Sequence, residues 1–422
     1  MSDQTVKRDP SCIDDFDPGS ISVEEALGRI EGHIEPVAGT ERVPVRGALN
    51  RVLARPVASP FDVPGYANSA MDGYAVRAAD LPGADAVNLR VMGTAWAGAP
   101  FAGHLAPGQC VRIMTGAKLP EGSDTVVMQE HVERTGERVR VGPGHRPGQN
   151  VRHPGEDIGA GTAVLDAGCR LTPSELGLIA SLGIAEVTVK RRVRVAFFST
   201  GDELRSIGEP LGDGEIYDSN RYTLHGMLAR LGVEVLDMGV VRDRREDVEA
   251  AFGAAADAAD AIITSGGVSV GEADYVTETL QRLGEVNFWK IAMKPGRPLA
   301  FGRVAEAWFF GLPGNPVSVM VTFYQFVQPA LRRLAGETPV APKRFRVPAA
   351  TPLRKRPGRV EFQRGVLVRD EDGRLTVHST GLQGSHVLSG MSRANCFIVL
   401  PLETGDLEAG AEVEVEPFEG IV

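Results

Sequence analysis

The sequence predicts a multidomain protein of the α/β plus β class, and three observations lead to that prediction. The chain has 422 residues, enough for two to four domains at about 100–200 residues each. Between residues 191 and 337, strand-like runs alternate with helical stretches, the pattern of a parallel sheet covered by helices. After residue 338 the helical period ends, and short alternating runs predict an all-β domain.

The first 190 residues divide differently. Ser22 and Glu25 have capping-box spacing at the start of one predicted helix, and Thr172 opens a second through a Thr-Pro-Ser-Glu run. Between these helices, short strands broken by Gly and Pro predict a β-rich insertion. The predicted domains are residues 1–20 (a flexible N-terminal tail), 21–60 with 151–190 (a split elongated domain), 61–150 (the inserted β-rich domain), 191–337 (the α/β domain) and 338–422 (the C-terminal β domain).

Composition excludes several classes of protein. Lys and Arg number 45 against 55 Asp and Glu, and this acidic balance argues against nucleic-acid and membrane-surface binding. No apolar run reaches the length of a membrane span, and the N-terminus lacks the apolar core of a signal peptide. The scattered cysteines predict neither a zinc site nor disulfides, so we expect a cytoplasmic protein. They are Cys12, Cys110, Cys169 and Cys396.

Polar, Gly-rich segments follow the predicted strands of the α/β domain. Ligands bind outside the carboxyl ends of parallel strands, so these segments are expected to meet at one edge of the sheet. One such segment is as often an ordinary turn, whereas five at the same edge predict a ligand site. They span residues 200–203, 242–243, 265–274, 294–298 and 311–318.

Two of these segments suit an anionic ligand. A glycine-rich run that opens a helix presents main-chain N–H groups to a phosphate. The candidates in that run are Ser265, Gly266, Gly267 and Ser269. Lys290, Lys294 and Arg297 add positive charge suited to an oxyanion. Lys290, however, lies beside Trp289 and is equally explained by its stem packing on the aromatic ring.

An opposing set of carboxylates follows other strands of the same domain. Glu203, Asp243 and Asp274 are of the type that binds Mg²⁺ together with phosphate oxygens. Any one of these acids is more often a helix cap or a solvated group. Taken together with the cations, they predict metal-assisted chemistry on a phosphorylated ligand.

Ten segments also carry a resemblance to a known family. They are PGYANSAMDGYAVR (64–77), RIMTGAKLPEGSDTVVMQE (112–130), NVRHPGEDI (150–158), FSTGDEL (198–204), IYDSN (216–220), ITSGGVSVGEADY (263–275), KPGRP (294–298), GLPGNPVS (311–318), EFQRG (361–365) and GLQGSH (381–386). From about residue 21 onwards, the chain resembles the MoeA family of molybdopterin molybdenumtransferases, which is similar to the E domain of gephyrin.

The resemblance implies an architecture and a reaction. It implies a three-layer α/β domain that binds molybdopterin and a C-terminal β-barrel. The family inserts molybdenum from molybdate into adenylylated molybdopterin, releases AMP and forms molybdenum cofactor in a Mg²⁺-dependent reaction. It also implies a homodimer that makes transient contact with molybdopterin adenylyltransferase and with proteins that mature molybdenum enzymes.

The resemblance further implies roles for individual residues. Asp72, Thr115, Arg152 and Asp157 fall at functional positions of the family. Glu203, Asp243 and Asp274 match its acidic residues, and Lys290 and Lys294 match its lysines. The positions that surround molybdate in the family correspond to Pro295, Ser318, Arg364 and Ser385. His153 departs from the Arg found in many relatives, which puts a phosphate contact there in doubt.

Two other functions stay open at this point. A molybdopterin adenylyltransferase shares the α/β domain but consumes ATP and usually lacks the three further regions. A non-catalytic molybdopterin-binding scaffold is the second, although intact acids and lysines in the loops argue against it. The sequence leaves the choice between molybdate and tungstate undecided.

Overall fold

The computed structural model describes residues 19–266 and 275–418. Helix α1 (Val23–His33) begins where predicted, because the Ser22 hydroxyl accepts a hydrogen bond from the Glu25 N–H at 3.0 Å. The Glu25 side chain pairs with Arg29 instead of closing the capping box. Strands β1 (Thr40–Pro44) and β2 (Val57–Ala58) follow. Within the described residues, no helix is long and apolar enough to span a bilayer.

The next stretch forms a six-stranded sheet in the order β7-β4-β6-β5-β9-β8. Its strands and two flanking ones are β3 (Asn68–Ser69), β4 (Gly73–Val76), β5 (Val87–Ala95), β6 (Gln109–Ile113), β7 (Thr125–Met128), β8 (Val132–Thr135), β9 (Arg138–Val141) and β10 (Val151–Arg152). Side chains alternate between two apolar clusters, as Tyr74 and Val76 pack in one and Ala75 in the other. The sheet is therefore buried on both faces.

The chain after this sheet packs against the chain before it. Strand β12 (Glu186–Lys190) pairs with β1, and β11 (Ala163–Leu165) pairs with β2. Between them lies helix α2 (Pro173–Ser181), which opens with Glu175 accepting from the Thr172 N–H at 2.8 Å and closes before Gly183. The six-stranded sheet is thus inserted between two halves of one packed unit.

A second six-stranded sheet, in the order β16-β13-β17-β21-β20-β18, lies between two layers of helices. Strands in this part are β13 (Arg194–Thr200), β14 (Leu204–Arg205), β15 (Ile216–Tyr217), β16 (Glu234–Val241), β17 (Ala261–Ser265), β18 (Gly284–Lys290), β19 (Met293–Lys294), β20 (Pro298–Val304) and β21 (Ala307–Leu312). Helices are α3 (Ser219–Leu231), α4 (Arg245–Ala258), α5 (Tyr275–Leu283), α6 (Pro316–Thr322) and α7 (Gln328–Leu334), with a π-helical segment, Phe323–Val327, before α7.

Burial on both faces explains the unbroken apolar runs of the central strands. In β13, Phe197 belongs to the apolar cluster that includes residues of α1 and α3, whereas Phe198 belongs to the cluster that includes residues of α4 and α5. The predicted parallel strands are present, and the sequence did not predict strand β20, which runs antiparallel to both neighbours. Its hairpin to β21 turns at Ala305, which has a positive φ without the Asn-Gly or Asp-Gly signal of such turns.

The last part forms the predicted barrel. Strands β22 (Phe345–Pro348), β23 (Val360–Arg369), β24 (Leu375–Ser379), β25 (Cys396–Leu400) and β26 (Glu412–Pro417) are hydrogen-bonded in the order β24-β23-β25-β26-β22. A bridge between Ala349 and Val377 joins the two ends and closes the barrel. The all-β expectation missed one short helix, α8 (Leu388–Arg393).

Candidate functional site

The site is assembled at one edge of the α/β sheet. Strands β13, β16, β17, β18 and β21 share one direction, so the segments that follow them begin at the same edge, as expected. The connection from β18 to β20 also lies there, because Lys290 pairs with Pro298 and Ala300 pairs with Gly311 near the end of β21. The barrel reaches the same edge through β19, which pairs with β23.

Lys294 joins the α/β edge to the barrel. It lies opposite Glu361 in the β19–β23 pair, and its Nζ is 3.7 Å from Glu361 Oε1. The Glu361 carboxylate is buried at 6% exposure and also accepts from Gln363 Nε2 at 2.9 Å. Lys294 therefore has a fixed anionic partner inside the protein, while its side chain stays partly exposed. Sequence reasoning missed Glu361, although it opens the EFQRG motif.

Arg364 is placed differently from the expectation of a free anion-binding side chain. It is fully buried, and its guanidinium donates to the carbonyl oxygens of Leu382, Gln383 and Gly384, each at 3.0 Å. Burial lowers the pKa of Arg364 to about 10, and the nearby Glu361 carboxylate opposes that shift. The guanidinium thus holds the segment that leads to Ser385.

Ser385 and Ser318 lie side by side. The Ser385 carbonyl accepts from the Val317 N–H at 3.1 Å, and Val317 precedes the buried Ser318 in α6. Gly296 packs tightly against the same helix, because a Cβ at Gly296 would lie 2.5 Å from Thr322 Oγ1. The residues that the structure brings together here are Lys294, Pro295, Ser318, Arg364 and Ser385. We refer to these five residues as the oxyanion cluster.

The end of β17 is held by Asn220, which sequence reasoning did not select although it closes the IYDSN motif. Asn220 Nδ2 donates to Ser265 Oγ at 2.8 Å and to the Gly314 carbonyl at 2.6 Å. Gly266 has a φ of 90°, and a Cβ there would lie 2.8 Å from the Thr200 carbonyl oxygen. The predicted Gly267, Ser269 and Asp274 lie outside the described residues.

The remaining cations of this edge flank the connection between β18 and β20. Lys290 is exposed at the end of β18, and its carbonyl accepts from the Ile21 N–H at 2.9 Å. Arg297 is half-buried directly before β20, and its carbonyl accepts from the Ile291 N–H at 2.7 Å. Both positions put positive charge at the edge that carries Lys294.

The acidic residues after β13 and β16 are neighbours. The Asp243 N–H donates to Asp202 Oδ1 at 3.3 Å. Burial, and then the carboxylates of Asp202 and Glu203, raise the pKa of Asp243. Crowded carboxylates of this kind suit a divalent cation. Over residues 19–266 and 275–418, however, no three His, Cys, Asp or Glu side chains are grouped to hold a metal ion.

Asp72 and Thr115 form a separate pair on the inserted sheet. Asp72 Oδ1 accepts from the Thr115 hydroxyl at 2.7 Å and from its N–H at 2.8 Å, and these bonds hold the pKa of Asp72 below its usual range. Arg152 lies opposite Asn68 in the β10–β3 pair, and the carbonyl of the next β3 residue, Ser69, accepts from the N–H of Gly116, which follows Thr115. Asp157 is exposed in the turn that follows β10, where its N–H donates to the Val63 carbonyl at 3.0 Å.

Known proteins match this chain along its length. Three family models match in chain order: the MoeA N-terminal region (domains I and II) at residues 21–183, a probable molybdopterin-binding domain at 196–333 and the MoeA C-terminal region (domain IV) at 346–418. A molybdopterin molybdenumtransferase of Haemophilus influenzae is 46% identical over 94% of this chain and 98% of its own. A molybdopterin molybdenumtransferase of Bacillus subtilis is 35% identical, and the match covers 94% of this chain and 93% of that protein.

More distant relatives give the same result. Gephyrin of Dictyostelium discoideum is 34% identical, and the match covers 89% of this chain and 59% of gephyrin. The crystal structure of a molybdopterin biosynthesis moeA protein from Pyrococcus horikoshii superposes with a TM-score of 0.81 at 29% identity, covering 94% of this chain and all of that one. The chain therefore belongs to the MoeA family, whose curated members are named molybdopterin molybdenumtransferases.

Proposed function

We propose that this enzyme transfers molybdenum from molybdate to the dithiolene of adenylylated molybdopterin, releasing AMP and forming molybdenum cofactor. The observation that carries the proposal is the oxyanion cluster, where Lys294 and Ser318 of the probable molybdopterin-binding domain meet the Ser385 segment of the barrel. Molybdate is a tetrahedral dianion, and ammonium and hydroxyl groups are the donors that it needs. Lys294 supplies charge, and Ser318 and Ser385 supply hydroxyls.

The sulfur ligands of molybdenum come from the substrate in this proposal. Molybdenum prefers soft sulfur donors, whereas the described cysteines lie elsewhere. Cys110 is buried in the inserted sheet, Cys396 is buried in the barrel, and Cys169 lies in the unit around α2. All three are free thiols, which fits the reducing cytosol that we propose as the compartment.

Cleavage of the adenylate requires positioning and charge neutralisation more than a protein nucleophile. Lys290, Lys294 and Arg297 surround the edge where the phosphates would lie, and the Ser265–Gly266 turn would face them. Mg²⁺ would be held by Glu203, Asp243 and Asp274. The neighbouring carboxylates that help to raise the pKa of Asp243 would be neutralised by a bound cation. Bound there, Mg²⁺ would neutralise phosphate oxygens.

The Asp72–Thr115 pair completes the site from a second copy of the chain. In a symmetric homodimer a site at the interface can draw residues from both protomers, and two equivalent sites result. The inserted sheet of one protomer would then bring Asp72, Thr115, Arg152 and Asp157 to the α/β edge of the other. The adenylylated substrate implies transient contact with a molybdopterin adenylyltransferase, and the product implies contact with proteins that mature molybdenum enzymes.

The direct test supplies purified protein with adenylylated molybdopterin, molybdate and Mg²⁺. We expect AMP release with formation of molybdenum cofactor, and no cofactor when molybdate is omitted. Binding of the pterin without AMP release would indicate a scaffold instead. A requirement for ATP would indicate an adenylyltransferase. Replacing molybdate with tungstate in the same assay would determine which oxyanion is used.

A further inference from the structure

The loop that carries Ser385 is attached to the barrel at a gap in its hydrogen-bonded ladder. On one side of β23, strand β19 pairs as far as Glu361, and strand β24 pairs from Gly365 onwards. Between these two neighbours, the main chain of Arg364 has no strand beside it on that side. The Arg364 carbonyl accepts from the Thr380 N–H at 3.1 Å. An unpaired backbone N–H inside a protein is costly, so the Arg364 N–H requires an acceptor in this gap.

The Gln383 side chain provides that partner. Its Oε1 accepts from the Arg364 N–H at 2.8 Å, and its Nε2 donates to the Arg364 carbonyl at 3.1 Å. One amide group thereby supplies the acceptor for the Arg364 N–H and a second donor, beside the Thr380 N–H, to the Arg364 carbonyl. A paired residue in an antiparallel ladder makes the same two kinds of bond. Nε2 also donates to Ser379 Oγ at 3.0 Å, which ties the amide to the end of β24.

The Arg364 side chain also forms hydrogen bonds to the loop that carries Ser385. Its guanidinium donates to the carbonyls of Leu382, Gln383 and Gly384. Five hydrogen bonds therefore join one residue of β23 to three consecutive loop residues. The next residue along the loop is Ser385, whose carbonyl meets the Val317 N–H beside Ser318.

We infer that Gln383 is a positioning residue for oxyanion binding, a role that rests on the proposed function. By filling the ladder gap, Gln383 fixes the loop so that Ser385 stays beside Ser318 and Lys294. Gln383 itself is not required to touch the anion. Losing its amide should loosen the loop and weaken molybdate binding, while binding of the pterin at the α/β edge is unaffected.

Asn395 offers a matched control, because its side chain bonds to another residue of β23. The Asn395 side chain makes the same reciprocal pair with Leu367, accepting from its N–H at 2.7 Å and donating to its carbonyl at 3.1 Å. Asn395 does not belong to the 380–386 loop. Gln383→Ala and Asn395→Ala thus remove the same reciprocal pair of hydrogen bonds from β23, and only the first removes it from the Ser385 loop.

The test measures the rate of cofactor formation against molybdate concentration, together with direct calorimetric titration of molybdate into the protein without pterin. We expect Gln383→Ala to raise the half-saturating molybdate concentration about tenfold, with kcat at saturating molybdate nearly unchanged. Asn395→Ala should shift that concentration less than about twofold while lowering the melting temperature comparably. Gln383→Glu, which accepts but no longer donates to the Arg364 carbonyl, should shift it in the same direction.

Equal molybdate shifts in both alanine variants, or wild-type dependence in both Gln383 variants, would overturn the inference. So would a wild-type protein that fails to bind molybdate in the titration. A wild-type protein that binds molybdate but forms no cofactor would instead defeat the proposed function, and the titrations of the variants would still decide the role of Gln383.

Discussion

Arg364 and Glu361 show how burial changes what a charged side chain does. The family resemblance placed Arg364 beside the oxyanion, and the structure does place it in that cluster. Its two terminal nitrogens, however, already donate to three carbonyls of a loop later in the chain, whereas its buried Nε has no hydrogen-bond partner among the described residues. Glu361 was not predicted as a site residue, because a single acidic side chain in a strand is usually solvated. In the structure this carboxylate is buried beside Lys294.

We expect Arg364→Lys to be destabilised nearly as much as Arg364→Ala. A single ammonium does not reproduce the fork that serves three carbonyls, and each buried acceptor left without a donor costs about 1–3 kcal/mol. The half-saturating molybdate concentration should rise in both variants because the Ser385 loop is released. Urea unfolding measures the first effect and molybdate titration the second. A Lys variant with wild-type values of both would show that charge alone matters at this position.

Asp243→Asn should stabilise the metal-free protein at neutral pH and reduce its activity. Because the pKa of Asp243 is raised in the folded state, ionising this carboxyl costs stability as the pH rises through that pKa. The variant avoids the cost, so we expect a gain of at most about 1 kcal/mol at pH 7, vanishing below about pH 4. Urea unfolding at both pH values checks the sign. Added Mg²⁺ should raise the melting temperature of the wild-type protein more than that of the variant, and equal rises would remove Asp243 from the metal site.

At the scale of elements, prediction from the sequence succeeded where the signal is local. The caps at Ser22 and Thr172 and the buried strand β17 depend on neighbouring residues, and the structure confirms them. The antiparallel strand β20 was missed because its turn at Ala305 lacks a recognisable signal. The gap in the β23 ladder was invisible for a different reason, since it depends on where two other strands end.

Two glycine substitutions should act in opposite directions. Gly266→Ala forces a side chain onto a φ of 90° and against the Thr200 carbonyl, so we expect a loss of about 1–3 kcal/mol and weaker binding of adenylylated molybdopterin. Gly28→Ala, in open space on helix α1, should instead stabilise the protein by roughly 0.5–1 kcal/mol. Thermal unfolding of both variants checks the signs, and a neutral Gly266→Ala would show that the end of β17 is not constrained.

At the scale of the whole molecule, the oxyanion cluster is built from two domains that meet through β19 and β23. Several of the motifs lie at strand ends of the α/β sheet, whereas EFQRG lies within β23. Their assembly follows from long-range pairing that no local pattern encodes. The Asp72–Thr115 pair belongs to a different sheet, and the proposed homodimer is what would bring it to the site.

Mixing two inactive variants tests that shared site. We expect Asp72→Ala and Lys294→Ala to be inactive alone, because each damages every site. After subunit exchange about half of the dimers are mixed, each with one intact site, so about a quarter of the wild-type sites should return. If both residues served a site within one chain, mixing would restore no activity.

The central claim is that molybdate binds where the α/β edge meets the barrel. A crystal structure with molybdate, with data collected at the molybdenum absorption edge, tests it most directly because the anomalous signal identifies the anion. We expect one peak within hydrogen-bonding distance of Lys294 Nζ and the hydroxyls of Ser318 and Ser385. A peak beside the Asp72–Thr115 pair alone, or no peak at the oxyanion cluster at saturating molybdate, would contradict the account.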